Sequence, residues 1–385
     1  MAPNLILNPT VVQQGYNGVT RAISNWVLTT DGRYMCCWID VTTRELITGY
    51  SVDLDFLSVN YAIESVVTNP SIVVTRVDDS PTSLYKRDDG KVLLFIVNWD
   101  LDSWVKCYIS ASGNGDDWAF YSLVFESVTE SMTSRWPYVA IPIRLPSGRL
   151  VLTFITGTSY YYRTINGPTC MCAISDNDGV SWTITHHDAS YMVLGVGQVC
   201  LLPDGSMFFS WLFYTGDERL LRSLDSGVTW TQVASWDTTF ANSGLHGWGM
   251  SYYYDPITAT AYAHSSTGGF IAYLENPTGS NFSDVTAWTV LHQGLSTSGL
   301  DSGCRIYMIP GYLLFHTTSG SSYLYSSVPS APISKAGRHA IYRKTTLGTT
   351  RIRNAQVIGV YPANYERVKN LKHKIDTDIW GGTTL

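Results

Sequence analysis

Apolar and polar positions along the first 343 residues follow one repeated order, in which two short apolar runs flank a tight turn. Gly, Asp and Pro at the turn positions are typical of connections between strands. Successive turns are separated by 58, 58, 57, 51 and 55 residues, counted from the second residue of each turn. The turns are Asp31-Gly32, Asp89-Gly90, Ser147-Gly148, Asp204-Gly205, Asp255-Pro256 and Pro310-Gly311.

A period of this length, with several strand-like runs in each repeat, predicts the blades of a β-propeller. Six turns predict six blades, the first over about residues 8–60 and the last over about residues 291–343. The predicted fold class is therefore all-β, a six-bladed β-propeller over residues 1–343. Composition agrees with this class, because 13% of the residues are aromatic, only 15% are charged and 32 are Gly.

Residues 344–385 follow a different pattern and are predicted to form a short C-terminal arm of one strand and one helix. Residues 351–358 alternate like a strand, whereas residues 364–375 place apolar side chains on one helical face. A helix of about three turns is marginal in water without packing, so the arm is expected to cover another surface. The residues predicted to contact a partner are Tyr365, Arg367, Val368, Leu371, Lys372, Ile375 and Trp380.

The arm differs from the rest of the chain in the sign of its net charge. Residues 1–334 hold 15 Lys and Arg against 28 Asp and Glu, whereas residues 335–385 hold 10 against 3. The arm is therefore predicted to meet acidic surface on another copy of the chain or on another protein. The alternative is that residues 351–358 complete a blade of the same propeller and that the rest of the arm is solvated. Nucleic acid is not an expected partner of the acidic body.

Seven cysteines lie scattered along the chain, mostly in apolar runs, and their odd number argues against a complete set of disulfides. Cys170 and Cys172 share one strand face, but no second Cys or His pair follows at the spacing of a zinc site. We therefore expect free thiols, no metal and no cofactor. Without a signal peptide or an apolar run long enough to span a membrane, the chain is predicted to fold in a reducing cytoplasm.

Two stretches fit the pattern Ser-x-Asp/Asn-x-Gly-x-Ser/Thr-Trp, and a strand-like run precedes each. In such a turn the Asp or Asn oxygen bonds to nearby backbone N–H groups, Gly adopts a left-handed conformation and Trp covers the turn. The first box contains Ser175, Asn177, Gly179 and Trp182, and the second contains Ser223, Asp225, Gly227 and Trp230. The pattern resembles the Asp-box of the sialidase and BNR-repeat β-propellers, in which the box is a structural element away from the active site.

The resemblance also implies what an active site would contain: three arginines for a sugar carboxylate, a Tyr nucleophile activated by Glu, and an Asp acid/base. Arg21 stands where the family has its first arginine, although the Pro of the family motif is missing, and Asp40 stands near the acid/base position. An exposed or ion-paired strand-end residue is the alternative for Arg21, and a solvated loop residue is the alternative for Asp40.

The other expected residues are missing from their positions. Residues 195–197, ahead of the Gln-Val strand, are Gly-Val-Gly and supply no activating Glu, and residues 208–213 contain no arginine. Arg135 and Arg305 are further candidates for a central position, but neither lies in the blade where the family has its remaining arginines.

These observations favour a non-catalytic, sialidase-like propeller that serves as a structural or attachment module of a large assembly. The specific prediction is a bacteriophage virion protein, such as a tail nozzle, fibre or head appendage, which contacts other virion proteins or other copies of itself through the arm. One alternative is an exo-glycosidase that uses Arg21 and Asp40. Another is a lectin-like propeller that binds cell-surface glycan through exposed aromatic side chains.

Overall fold

The computed structural model describes sixteen segments of the chain. These are residues 10–13, 24–40, 42–51, 65–74, 82–99, 103–127, 138–155, 170–187, 193–213, 218–235, 250–256, 259–265, 270–292, 303–309, 312–318 and 338–342. Across these segments the only helical element is a single 3₁₀ turn at Val285–Ala287. The prediction of an all-β protein is confirmed.

The described strands form six antiparallel sheets, numbered by their order along the chain. Sheet 1 contains β2 (Val27–Leu28), β3 (Tyr34–Ile39), β4 (Glu45–Ser51) and β5 (Ser65–Val73). Sheet 2 contains β6 (Thr82–Lys86), β7 (Val92–Trp99), β8 (Ser103–Ser110) and β9 (Trp118–Ser127). In sheet 3, β10 (Tyr138–Val139) and β11 (Ile143–Arg144) both pair with β12 (Leu150–Ile155), which is followed by β13 (Cys170–Ser175) and β14 (Thr183–His187).

The remaining three sheets repeat this arrangement. In sheet 4, β15 (Val193–Val196) and β16 (Cys200–Leu201) both pair with β17 (Met207–Phe213), which is followed by β18 (Glu218–Ser223) and β19 (Thr231–Ser235). Sheet 5 contains β20 (Ser251–Asp255), β21 (Thr260–Ser265), β22 (Phe270–Glu275) and β23 (Thr289–His292). Sheet 6 contains β24 (Gly303–Ile309), β25 (Tyr312–Thr318), β26 (Arg338–Tyr342) and, as its outermost strand, β1 (Thr10–Gln13).

The core lies in layers between successive sheets. Sheets 2 and 3 share one apolar layer that includes Phe95 and Phe154, and sheets 3 and 4 share another that includes Phe209. Because both faces of a middle strand are covered by neighbouring sheets, β3 and β12 are buried at every position. By contrast, the outermost strand β19 is largely exposed. Continuous apolar runs therefore form the middle strands, and alternation is lost there.

The sixth sheet is completed by the beginning of the chain. Thr10 pairs with Ile341 and Gln13 with Arg338, so β1 is the outer neighbour of β26. The backbone N–H of Trp26 donates to the Tyr307 hydroxyl at 3.2 Å, which joins the sixth sheet to the first. The sheets thus follow one another in a closed series.

This pairing corrects two boundaries of the sequence analysis. The first predicted blade began at about residue 8, whereas β1 belongs to the last sheet. That blade also ended at about residue 60, whereas β5 pairs with β4 and so belongs to sheet 1. The period of the turns identifies the repeats but does not show where in each period the chain passes to the next sheet.

The predicted strand at 351–358, the predicted helix at 364–375 and the rest of the arm lie outside the described residues. The total number of blades also stays a prediction, because residues 319–337 and everything after 342 are outside them as well. Within the segments that are described, no helix is long and apolar enough to cross a membrane.

Six of the seven cysteines lie in the described part of the chain with their side chains, and all six are buried thiols that form no disulfide. Burial raises the pKa of both Cys37 and Cys172 to about 12. Thiols with such pKa values stay protonated at neutral pH, so they act as small apolar side chains of the core. The side chain of Cys304 lies outside the described residues.

Candidate functional site

The sheets have two ends, and most described turns lie at one of them, which we call the turn face. Here the first strand of a sheet turns into the second, and the third strand turns into the fourth. Neighbouring sheets are joined at this face: Arg149 binds the Asp176 carboxylate at 2.6 Å and donates to the Ser226 carbonyl of the next sheet at 3.1 Å. The described turns of the turn face are residues 29–33, 87–91, 111–117, 145–149, 176–182, 202–206, 224–230 and 276–288.

The first Asp-box forms the turn between β13 and β14. Ser175 Oγ accepts a hydrogen bond from the Gly179 N–H at 2.8 Å, and Asn177 Oδ1 accepts one from the Ser181 N–H at 2.9 Å. Gly179 has a φ of 89°, in the left-handed region that favours Gly. Trp182 is half-buried over the turn, and its Nε1 donates to the Gly179 carbonyl at 3.1 Å.

The second Asp-box repeats this geometry between β18 and β19. Ser223 Oγ accepts from the Gly227 N–H at 2.9 Å, and Asp225 accepts from the Thr229 N–H at 2.8 Å. The Nε1 of Trp230, also half-buried, donates to the Gly227 carbonyl at 3.1 Å. All the hydrogen bonds named in the two boxes stay within the turn, so they stabilise the turn that each box forms.

The other end of the sheets is where the innermost strands begin, and Arg305 on β24 lies at this end. Its side chain is fully buried. Its Nη2 donates to the Thr82 carbonyl of sheet 2 at 2.8 Å and to the Val139 carbonyl of sheet 3 at 3.2 Å. A side chain of sheet 6 that contacts both sheet 2 and sheet 3 must lie on the central axis of the closed series.

Two tyrosines accompany Arg305, and we call the three residues the axial cluster. The guanidinium carbon lies 5.3 Å from the centre of the Tyr138 ring, within the range of a cation–π contact. Tyr307 is two residues further along β24 and accepts from the Trp26 N–H. Burial raises the pKa of Tyr307, and the nearby positive charge of Arg305 opposes that rise. The phenol is therefore neutral at physiological pH.

A second buried charged group, the carboxylate of Glu218, lies between sheets 4 and 5. Glu218 Oε1 accepts from Ser210 Oγ and, at 2.9 Å, from the Met250 N–H. Ser210 Oγ also contacts the Met250 carbonyl at 3.1 Å. The carboxylate thus bonds the two sheets together. Its partners are within the protein, which is the arrangement that a buried charge requires.

Gly197 is the last residue of the segment 195–197, in which the resemblance implies an activating Glu. A Cβ atom at this position would lie 1.7 Å from the Met250 carbonyl oxygen, far inside van der Waals contact. Only Gly fits at residue 197, and residues 195 and 196 are Gly and Val. No carboxylate arises from this segment. The Gly197 N–H donates to the carbonyl of Ser210 on β17 at 2.8 Å, and the Ser210 hydroxyl donates to Glu218 on β18.

The two candidate catalytic residues are not brought together within the described residues. Arg21 lies outside them, as do Arg135 and the whole partner-binding arm with Tyr365, Arg367, Val368, Leu371, Lys372, Ile375 and Trp380. Asp40 lies in the turn between β3 and β4, where its Oδ1 accepts from the N–H groups of Thr42 and Thr43, each at 2.8 Å. This geometry gives Asp40 a role in shaping the turn at the axial end.

Arg305 was recognised in the sequence only as an arginine of the central region. Its carbonyl partners Thr82 and Val139 are 223 and 166 residues away, and nothing in the local sequence indicates them. Among the residues with described side chains, no group of three or more His, Cys, Asp and Glu side chains is placed to hold a metal ion.

Comparison with known proteins gives the fold. No protein-family model and no curated protein sequence matches the chain. Among solved structures, an α-L-arabinanase of Penicillium chrysogenum in complex with arabinobiose is similar, with a TM-score of 0.57, 14% identity, and coverage of 89% of this chain and 99% of the other. An α-L-arabinofuranosidase of Fusarium graminearum in complex with an iminosugar inhibitor gives 0.54 and 13%, covering 87% and 97%.

A mutant of the NanB sialidase of Streptococcus pneumoniae is similar over 87% of this chain and 71% of its own, with a TM-score of 0.53 and 12% identity. These three structures are β-propeller glycosidases, and the chain has the same all-β propeller fold. At identities this low the likeness shows the fold alone.

Proposed function

We propose that the chain is a glycan-directed propeller of the exo-glycosidase type, which binds the terminal sugar of a glycan at the axial end. The observation that carries the proposal is the axial cluster: a buried cation and two aromatic rings lie where the innermost strands of several sheets converge. Ligand sites in propellers form around the central axis. The similarity to structures of an arabinanase, an arabinofuranosidase and a sialidase supports a sugar as the ligand.

In this proposal Arg305 forms the floor of the site. Its charge favours an electronegative group above it, such as a sugar carboxylate or hydroxyl, and its carbonyl contacts hold the guanidinium in a fixed orientation. Asp40 at the same end is the proposed acid/base, and Arg21 is a proposed second contact for the substrate. Glycoside hydrolysis requires a proton donor to the leaving oxygen, which is the role of Asp40 here.

A panel of fluorogenic exo-substrates tests the proposal, with an α-L-arabinofuranoside and an α-sialoside as the first two members. We expect turnover of at least one substrate by the wild-type chain. Asp40→Asn is expected to reduce kcat by about 100-fold or more, the usual contribution of general acid catalysis. Asp176→Asn on the turn face is the control and is expected to leave kcat unchanged. Full activity of Asp40→Asn would exclude this residue as the acid.

A second candidate function is the non-catalytic structural or attachment module of the sequence analysis, with a virion as its setting. The specific observation in its favour is Gly197, where no side chain fits, within a segment that supplies no activating carboxylate. No turnover of any substrate in the panel, with normal folding, is the result that this candidate predicts. Binding to a glycan array without turnover would instead favour a lectin-like propeller.

A further inference from the structure

The turn face is acidic. Its described turns contain ten Asp and only four Arg or Lys. Several of these Asp side chains remain exposed even where an arginine contacts them: Asp176 is 65% exposed beside Arg149, and Asp88 is 84% exposed beside Arg144. The face therefore presents negative charge to whatever covers it.

The same face carries apolar side chains directed to solvent at the two Asp-boxes. Leu224 is 70% exposed, Val180 is 54% exposed and Val228 is 44% exposed. Val180 belongs to the box of sheet 3, and the other two belong to the box of sheet 4. Arg149 connects these boxes, because it binds Asp176 in the first and Ser226 in the second. Together the three side chains and the Asp residues beside them form the box patch.

The chain beyond Tyr342 leaves from the turn face. β24 begins at the axial end, since Arg305 near its start contacts Thr82 at the start of β6. β24 is antiparallel to β25, and β25 is antiparallel to β26. β26 therefore runs in the same direction as β24 and ends at the turn face. The last described strand therefore ends on the side where the acidic turns lie.

We infer that the box patch is the docking surface of the chain's own C-terminal segment, residues 343–385. The segment complements the patch in both respects: residues 343–385 hold 8 Lys and Arg against 3 Asp and Glu, and residues 364–375 carry an apolar stripe. Charge complementarity sets the orientation, and burial of the apolar side chains supplies the free energy. Residues 343–364 span at most about 80 Å when extended, which is ample to cross one face of a domain.

Limited digestion of the full-length chain with an arginine-specific protease tests the docking. Mass spectrometry measures the rate of cleavage after Arg367. Leu224→Lys with Val228→Lys places two positive charges on the box patch and removes its apolar contacts. The cleavage rate is proportional to the fraction of molecules in which the segment is undocked. We expect cleavage to be about tenfold faster in this variant, which corresponds to a loss of about 1.4 kcal/mol in the free energy of docking. Added salt is expected to weaken protection in the wild type, because exposed charges are screened.

Val67→Lys with Val73→Lys is the matched control, because these side chains are 40% and 50% exposed on the outermost strand of sheet 1. The control is expected to be cleaved at the wild-type rate, and both variants are expected to melt as the wild type does. Equal cleavage in all three proteins, whether fast or slow, would overturn the inference. Protection in the wild type that disappears on dilution would overturn it too, since the arm would then be held by a second copy.

Discussion

At the scale of single residues, the two Asp-box tryptophans differ from a third one in sheet 5. Trp182 and Trp230 are half-buried, whereas Trp288 is buried and donates from Nε1 to the Phe282 carbonyl at 3.1 Å. Replacing Trp288 by Ala is expected to cost about 3–5 kcal/mol, and Trp182→Ala or Trp230→Ala about 3 kcal/mol or less. Denaturant unfolding measures the three values. Equal losses at all three positions would contradict the burial difference.

Asp225 gives the folded protein a pH dependence in acid. Burial raises the pKa of this carboxyl, but hydrogen bonds from the Thr229 hydroxyl, the Thr229 N–H and Ser223 outweigh it and hold the pKa at about 2, against an ordinary 3.8. A depressed pKa stabilises the fold above about pH 4, and that contribution is lost as the pH falls toward 2.

The first box offers the matched replacement, because Asn177 stands at the position equivalent to Asp225 and its Nδ2 donates to Ser181 Oγ at 2.8 Å. Asp225→Asn is therefore expected to fold normally and to lose less stability than the wild type between about pH 4 and pH 2. Thermal melting of both proteins across this range measures the difference. Parallel curves would show that Asp225 titrates in the native state as it does in the unfolded chain.

Residue patterns predicted the boxes because each box is closed by hydrogen bonds within eight residues, and the side chains that make them stand in the sequence at fixed spacing. The same reasoning could not find the axial cluster. Arg305 is held by carbonyl groups of two other sheets, and carbonyl groups are present at every residue. Only the packing of the sheets decides which of them meets the guanidinium.

At the scale of elements, Gly197 fixes how closely sheets 4 and 5 approach. Gly197→Ala would place a Cβ atom against the Met250 carbonyl, so one sheet must shift, and we expect a loss of more than about 3 kcal/mol. Gly205→Ala is the control, because Gly205 has open space around it but a φ of 81°, for which about 1–2 kcal/mol is expected. Unfolding in denaturant ranks the two. A smaller loss at Gly197 would mean that sheets 4 and 5 separate easily.

The existence of the strands was predictable from the alternation of apolar runs and turns. The sheet to which each strand belongs was not. β5 follows β4 after residues 52–64, and the predicted end of the first blade at about residue 60 placed it in the next blade. Pairing is decided by which sheet edge remains open, and an edge is a property of the assembled strands rather than of the sequence between them.

At the scale of the whole molecule, Arg305 joins sheets 2, 3 and 6. Arg305→Met keeps most of the side-chain volume but leaves the Thr82 and Val139 carbonyl groups without this donor, so we expect a loss of about 2–5 kcal/mol. The loss should appear as one cooperative transition at lower denaturant, since all three sheets depend on the contact. Wild-type stability in this variant would show that the carbonyl groups find another donor.

The closing strand β1 has a consequence for the order of events during synthesis. Thr10 leaves the ribosome before its partner Ile341, which follows 331 residues later. At about 5–20 residues per second, this delay is on the order of tens of seconds, during which β1 is already made but its partner strand β26 is not. Bacterial or cell-free expression of chains that stop before residue 338 should therefore yield aggregates through open strand edges, whereas chains that include 338–342 should not.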